Sequence, residues 1–129
     1  MKNAAPAGTP EDILERSFKF AVRVVKFCKH LDECPGVPRV LMPQILRSGT
    51  SVVSNVEEAQ AGQSRADFIS KMAIALKEAR ETHIRLRILA EAEVVSLDKL
   101  NPLITEANEI KRILAAIIIS TKRGNSSVV

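Results

Sequence analysis

The sequence predicts an all-α fold, an antiparallel up-down-up-down four-helix bundle. Apolar residues recur every three or four positions along four long stretches, which is the pattern of helices that each bury one face. Glycine and proline are scarce, with five and six residues, and they fall mostly near the ends of these stretches. Hydrophobic residues make up 46% of a 129-residue sequence that has no Trp and no Tyr, so we expect one domain with a largely aliphatic core.

The predicted bundle covers residues 9–123, with helices at about 9–31, 38–60, 64–95 and 97–123. Residues 1–8 are small and contain proline, and we expect a disordered N-terminal tail. Residues 124–129 are rich in serine and should form a loose C-terminal tail. No internal repeat occurs.

The first helix should begin with Thr9 as its cap and Pro10 in the first position, where a missing amide hydrogen has no cost. Basic residues mark its solvent side. The stripe predicted to be buried consists of Leu14, Phe18, Ala21, Val25, Cys28 and Leu31.

The second helix follows a loop rich in proline and glycine and carries an unusual patch in its middle. Residues 48–51, Ser-Gly-Thr-Ser, are all poor or neutral helix formers. Because apolar spacing continues through the patch, we expect a neighbouring helix to approach closely there. Gly62 is placed to end this helix.

The third helix should begin at a variant capping box in which Ser64 pairs with Asp67. Its main apolar face carries Phe68, Met72, Ala75, Leu76, Ala79, Leu86, Ala90 and Val94. A second stripe of Ile69, Ala73, Ile84 and Ile88 lies beside that face. An apolar arc this wide indicates burial on more than one side, either within the chain's own bundle or at a subunit interface.

The fourth helix should begin at Ser96 or Asp98 and end at Gly124. Its predicted buried face consists of Leu103, Ala107, Ile110, Leu114, Ile117 and Thr121, broadened by Ile113 and Ile118.

The sequence predicts no enzyme, no cofactor and no metal site. A di-iron bundle needs Glu-x-x-His on two helices, and neither His30 nor His83 follows a glutamate by three positions. No glycine-rich phosphate loop is present. Cys28 and Cys34 lack metal spacing; we favour two reduced thiols, and a disulfide between them requires the first helix to end early.

A polar set in the second and third helices predicts a structural network rather than a catalytic one. Its members are Asn55, Glu58, Glu78, Arg80 and Glu81. A tight turn makes these helices neighbours, and Glu58 could meet Arg80 in a half-buried pair. Buried charges need partners, and such networks mainly fix packing register.

Basic residues give a formal net charge of +4 and suggest an acidic partner such as RNA or DNA. The predicted contacts are Arg16, Lys19, Arg23, Lys26, Arg47, Lys77, Arg85, Arg87, Lys111, Arg112, Lys122 and Arg123. No aromatic residues are interleaved with them, so binding would be through phosphates. The alternative is that these charges only keep the surface soluble. We expect a cytoplasmic protein without a membrane role, since no apolar run is long enough to span a bilayer.

Two stretches, LRSGTSVVSNVEEAQ and DFISKMAIALKEARETHIRLRIL, resemble the bacterial family of four-helix proteins encoded in intervening sequences of 23S rRNA genes, also called the S23 ribosomal protein family. The resemblance covers residues 46–89 closely and the outer helices in pattern. Matching positions are Arg47, Ser48, Gly49, Thr50, Asn55, Glu58, Lys77, Glu78, Arg80 and Glu81. Ile84-Arg85 replaces a Tyr-Trp pair of many members, and Val53-Ser54 replaces Gly-Ala.

This resemblance implies a bundle that assembles as a homopentamer. The family is similar to the accessory protein of diversity-generating retroelements, a basic pentameric bundle that binds a reverse transcriptase and nucleic acid. We therefore expect a homo-oligomer that contacts RNA or another nucleic acid. The alternative is a protein–protein adaptor or scaffold with no nucleic-acid role.

Overall fold

The computed structural model describes residues 10–124, with side chains from residue 12 onward. Four helices fill this range, and it contains no strand: α1 (Pro10–Asp32), α2 (Val37–Gln60), α3 (Arg65–Glu91) and α4 (Leu97–Lys122). Helix α2 packs against α1 and α3, α3 packs against α4, and α1 meets α4 over a smaller area. The predicted tails, except Gly124, and the cap at Thr9 lie outside the described residues.

Helix α1 buries a different stripe from the one predicted. The buried residues are Ile13, Ser17, Phe20, Ala21, Val24, Phe27, Cys28 and Leu31. Phe18 is 60% exposed and Val25 48% exposed, so their predicted burial is wrong. Both stripes have helical spacing, and only packing against α2 and α4 selects between them. Buried Ser17 is tolerated because its hydroxyl donates to the carbonyl oxygen of Leu14.

The small residues in the middle of α2 allow the predicted close approach, here to α1. A Cβ atom added at Gly49 would lie 2.7 Å from Cγ1 of Val24. Valine is stiff at χ1, so this contact cannot be relieved by a simple rotation. Ser48, in the same patch of small residues, is fully buried on the side of α2 that faces α3.

Helix α3 ends at Glu91, four residues before its predicted end. The amide of Glu93 bonds to the carbonyl of Ala90 and that of Val94 to the carbonyl of Leu89, the pattern of a Schellman cap. Glu93 takes the left-handed position with φ of 57°. Glycine usually occupies that position, because the left-handed conformation costs other residues about 1–2 kcal/mol. With Glu93 in place of a glycine, the sequence gives no sign that the helix ends here.

The two apolar stripes of α3 have different environments. Its main face is buried as predicted from Phe68 to Leu86, whereas Ala90 and Val94 are partly buried. Ile84 and Ile88 of the second stripe are about half exposed, so one copy of the chain does not cover them. Helix α4 is capped by Ser96, whose hydroxyl accepts from the amide of Asp98, and its predicted face is buried.

Candidate nucleic-acid interface

The charged residues between α2 and α3 form a closed group, which we call the Arg47 cluster: Arg47, Glu78, Glu81 and Arg85. Arg47 donates to both carboxylate oxygens of Glu78, at 2.8 and 3.3 Å, and to Glu81 at 3.0 Å. Arg85 contacts the same Glu81 carboxylate at 3.5 Å. Two cations therefore meet two anions, and little charge is left to act on another molecule.

Burial and pairing act against each other within the Arg47 cluster. Desolvation alone would raise the pKa of Glu81, but the hydrogen bond from Arg47 and the positive charge of Arg85 outweigh it and lower that pKa. The hydrogen bond to Glu78 raises the pKa of Arg47. Both directions favour the charged forms of Arg47 and Glu81.

Two buried hydroxyls lie beneath the Arg47 cluster and tie α2 to α3. The hydroxyl of Thr82 donates to the carbonyl of Glu78 at 2.8 Å and lies 2.9 Å from the hydroxyl of Ser48. Both residues are fully buried. Thr82 was missed in the sequence, although its helical spacing from Ala75 and Ala79 places it on the main face of α3.

The predicted structural network is only partly brought together. Glu78 and Glu81 lie side by side, but the cation between them is Arg47, which was predicted to contact nucleic acid. Asn55 donates within its own helix, to the carbonyl of Ser51, and has no link to the acids of α3 among the described residues. The predicted pair of Glu58 and Arg80 does not form.

Helix geometry explains why that pair is absent. Arg80 is two residues from Glu78, about 200° around the helix, so it points away from α2. From Gln44 to Ser48 along α2, the contacted residue on α3 moves back from Arg85 to Thr82. A residue ten positions after Ser48 therefore lies near Lys71 rather than near Arg80. Glu58 indeed lines a cleft beside Lys71 at the α2–α3 turn. Glu58 and Arg80 are exposed, without an ion pair to any residue that the structure describes.

The predicted nucleic-acid contacts divide into paired and unpaired cations. Arg16 is paired with Glu106 and Lys19 with Glu15, while Arg47 and Arg85 belong to the Arg47 cluster. The others have no ion pair within the described part of the chain: Arg23, Lys26, Lys77, Arg87, Lys111, Arg112, Lys122 and Arg123. No ion pair in that part of the chain offsets their charge.

Two of the unpaired cations line a cleft between α1 and α4, which we call the basic cleft. Its volume is about 260 Å³, and its walls are Arg23, Lys26, Phe27, His30, Lys99 and Leu103. Phe27 and Leu103 are almost fully buried and form the floor, whereas Arg23, Lys26 and Lys99 are exposed. Lys99 and His30 were missed in the sequence, because only the pairing of α1 with α4 brings them beside Arg23.

A second basic group lies on α3 and α4. The ammonium group of Lys111 lies 3.4 Å from Nδ1 of His83, and a lysine can only donate in such a contact. Burial lowers the pKa of His83, and the charges of Lys111 and Arg87 lower it further. The imidazole is therefore neutral at pH 7, and its Nδ1 accepts the hydrogen bond that the ammonium group of Lys111 donates.

Metal binding and membrane insertion find no support in residues 10–124. No group of three or more His, Cys, Asp or Glu side chains in this range could hold a metal ion. None of the four helices combines the length and apolar character needed to cross a bilayer. Cys28 is buried, and desolvation raises the pKa of its thiol to about 11.

Comparison with known proteins gives a family and a fold. Residues 11–116 match the family described as 23S rRNA-intervening sequence protein. A crystal structure of a protein of unknown function from the S23 ribosomal protein family of Bacteroides thetaiotaomicron VPI-5482 is 40% identical, with a TM-score of 0.77. The similarity covers 84% of this chain and 96% of that one. No curated protein matches the chain.

Proposed function

Since the chain belongs to the 23S rRNA-intervening sequence protein family, we propose that it is a non-enzymatic, homo-oligomeric helical bundle that binds RNA through a basic surface. The main observation behind this proposal is that the buried acid of the bundle is paired with an arginine, whereas most of the other predicted basic contacts have no acidic partner in the described range. Among the described residues the most buried carboxylate, Glu78, is paired within the Arg47 cluster, while many cations of the same range have no ion pair there. Such cations attract phosphates at long range.

An up-down-up-down arrangement of the four helices is part of this proposal. Contacts between α2 and α3 run in opposite directions along the chain: Gln44 pairs with Arg85, and Ser48 pairs with Thr82. Contacts between α1 and α4 support the same sense, since Arg16 meets Glu106 whereas Phe27 and His30 share a cleft with Lys99 and Leu103.

The exposed apolar residues support the oligomer. One group lies on α1, Phe18, Val22 and Val25, and another on α3, Ile84 and Ile88. Helices α1 and α3 are not packing neighbours, so the two groups lie on different faces of the bundle. Two unlike faces suit head-to-tail contacts, which close into rings, better than a twofold dimer. A pentameric ring, as the family resemblance implies, would repeat the basic surface five times.

A shift assay with ribosomal RNA fragments tests the nucleic-acid part, and light scattering on the same protein tests the oligomer. We expect binding at about 50 mM salt that weakens steeply towards about 200 mM, because phosphate contacts release counterions. The scattering mass should be about five times the 14.1 kDa of one chain. Absence of any shift at low salt would remove the RNA claim, and a monomeric mass would remove the ring.

The exposed apolar residues also favour a second candidate, an adaptor that binds another protein. A pull-down with and without nuclease separates the two functions, since a partner held through nucleic acid is lost after digestion. The proposed similarity to the accessory protein of diversity-generating retroelements makes a reverse transcriptase one partner to look for. A stoichiometric protein partner that resists nuclease would favour the adaptor.

A further inference from the structure

We propose that the basic cleft between α1 and α4 is the site that binds RNA, and that it holds consecutive backbone phosphates of one strand. This inference rests on the proposed function and adds the place and the chemistry of recognition. It also separates the predicted basic residues into those that contact RNA directly and those that do not.

The charge and the length of the basic cleft suit the backbone phosphates of one nucleic-acid strand. Arg23, Lys26 and His30 lie along α1, and Lys99 faces them from α4. Residues 23 and 30 are about 10 Å apart along the helix axis. The charges of one strand of a duplex repeat about every 3.4 Å along the duplex axis, and neighbouring phosphates lie farther apart than this along the strand itself. The cleft is therefore long enough for about two to three phosphates of one strand.

Two other clefts in the described part of the chain are larger than the basic cleft, so charge rather than size distinguishes it. A larger cleft of about 630 Å³ at the α3–α4 connection is lined by Glu91 and Glu93. Another of about 450 Å³ at the α2–α3 turn is lined by Glu58, Asp67 and Lys71. The acidic residues make both of these clefts less favourable for phosphate than the basic cleft. No acidic residue lines the basic cleft among the residues described.

The floor of the basic cleft indicates which part of the RNA enters. Phe27 is only 6% exposed, so its ring has no free face on which a base could stack. The apolar floor instead keeps water from one side of the cations, which strengthens their attraction for an anion. Backbone phosphates, read with little sequence selectivity, fit these walls better than bases do.

A charge-matched pair of variants tests the cleft. The first variant is Arg23→Ala/Lys26→Ala/Lys99→Ala, and the control is Arg65→Ala/Lys71→Ala/Arg80→Ala. The control cations lie on α3, outside the predicted contacts, and each variant loses three positive charges. Fluorescence anisotropy with a labelled 12-nucleotide RNA measures affinity from about 50 to 200 mM KCl, with circular dichroism to verify folding.

We expect the cleft variant to bind at least about tenfold more weakly at 50 mM KCl. The slope of log affinity against log salt should fall by about 2 to 3, since each lost phosphate contact removes about 0.7 to 0.9. The control should keep the slope of the unmodified protein. A DNA strand of the same length should depend on the cleft in the same way, whereas inorganic phosphate at equal ionic strength should compete only weakly.

The outcomes separate this inference from the proposed function. If the unmodified protein binds RNA and both variants weaken equally, overall charge is responsible and the cleft is refuted. If the unmodified protein does not bind at low salt, both proposals fail. Should the triple variant misfold, Lys26→Ala alone must reduce the slope by about 1, and RNA must shift the methyl resonances of Leu103.

Discussion

The Arg47 cluster and the basic cleft both contain exposed or half-exposed basic residues, but only those of the cluster are paired with acids. Between α2 and α3, Arg47 and Arg85 are held by Glu78 and Glu81, and buried hydroxyls lie beneath them. Between α1 and α4, the cations of the cleft face each other across an apolar floor with no acid among them. The first arrangement stabilises the fold, and the second leaves charge for a partner. A count of basic residues therefore says little until each is assigned an acidic neighbour.

The packing beneath the Arg47 cluster should show the largest effect on stability. Replacing Ser48 with Leu inserts a large side chain where α2 and α3 lie close, and overpacking of this kind costs about 1–3 kcal/mol. Urea unfolding measures the loss. Ser54→Leu is the control, because Ser54 lies on the exposed side of the same helix. Equal stability of the two variants would mean that α2 and α3 are not in close contact at Ser48.

Neutralising one charge in each region should separate their roles. Glu78→Gln keeps the shape of the side chain but removes the anion that Arg47 binds, so we expect the Tm to fall by a few degrees. Lys26→Gln, in the basic cleft, should leave the Tm almost unchanged because Lys26 has no ion pair within residues 10–124. A larger loss of Tm for Lys26→Gln than for Glu78→Gln would reverse the assignment of the two regions.

The ion pair of Arg16 with Glu106, which joins α1 to α4, should contribute less to stability than the contacts between α2 and α3. Arg16 donates to both carboxylate oxygens of Glu106, but the side chain of Arg16 is about one third exposed. A double-mutant cycle with Arg16→Ala and Glu106→Ala should give a coupling of about 0.5–1 kcal/mol. The same cycle on Lys19 and Glu15, which are both mostly exposed, serves as the reference and should give about 0.3–0.5 kcal/mol.

The basic group around His83 predicts a small dependence of stability on pH. The pKa of His83 is lowered in the folded protein, so the unfolded chain binds a proton more readily. The free energy of unfolding should therefore fall as the pH drops through the ordinary histidine value of 6.5 and level off below the folded pKa. Urea titrations at pH 8 and pH 5 measure the change.

The matching variants identify which histidine is responsible. His83→Gln should remove most of this pH dependence between pH 8 and pH 5, since Gln cannot take up a proton. His30→Gln, in the basic cleft, is the comparison and should leave the dependence in place. The same profile for His83→Gln as for the unmodified protein would show that other groups govern it.

The sequence predicts the four helices well where one apolar face dominates. Helix α4 is an example, because its buried residues lie on the predicted face and Ser96, an ordinary capping residue, marks its start. Helix α1 has two stripes of equal quality, so its orientation depends on packing with its neighbours. The end of α3 was missed because Glu93 occupies a position where glycine would have been recognised.

The candidate site was harder to predict than the fold. Pairing of Arg47 with Glu78 joins residues 31 apart in the sequence, and helical spacing does not show which acid a basic residue reaches. Predicting the basic cleft requires knowing how α1 and α4 are aligned along their axes, since Lys99 must lie beside His30. Local sequence patterns do not give this alignment, because it is set by the lengths of the helices and of the connections between them.

The outward position of Phe18 on α1 has a thermal consequence. Phe18, Val22 and Val25 form an exposed apolar row, and a second copy that covered it would remove this row from water. Burial of apolar surface lowers the heat capacity of a complex, and its driving force weakens on cooling. An assembly held through this row should therefore be tighter near 25 °C than near 4 °C. Protein stored in the cold would then contain more free subunits than the same solution after warming.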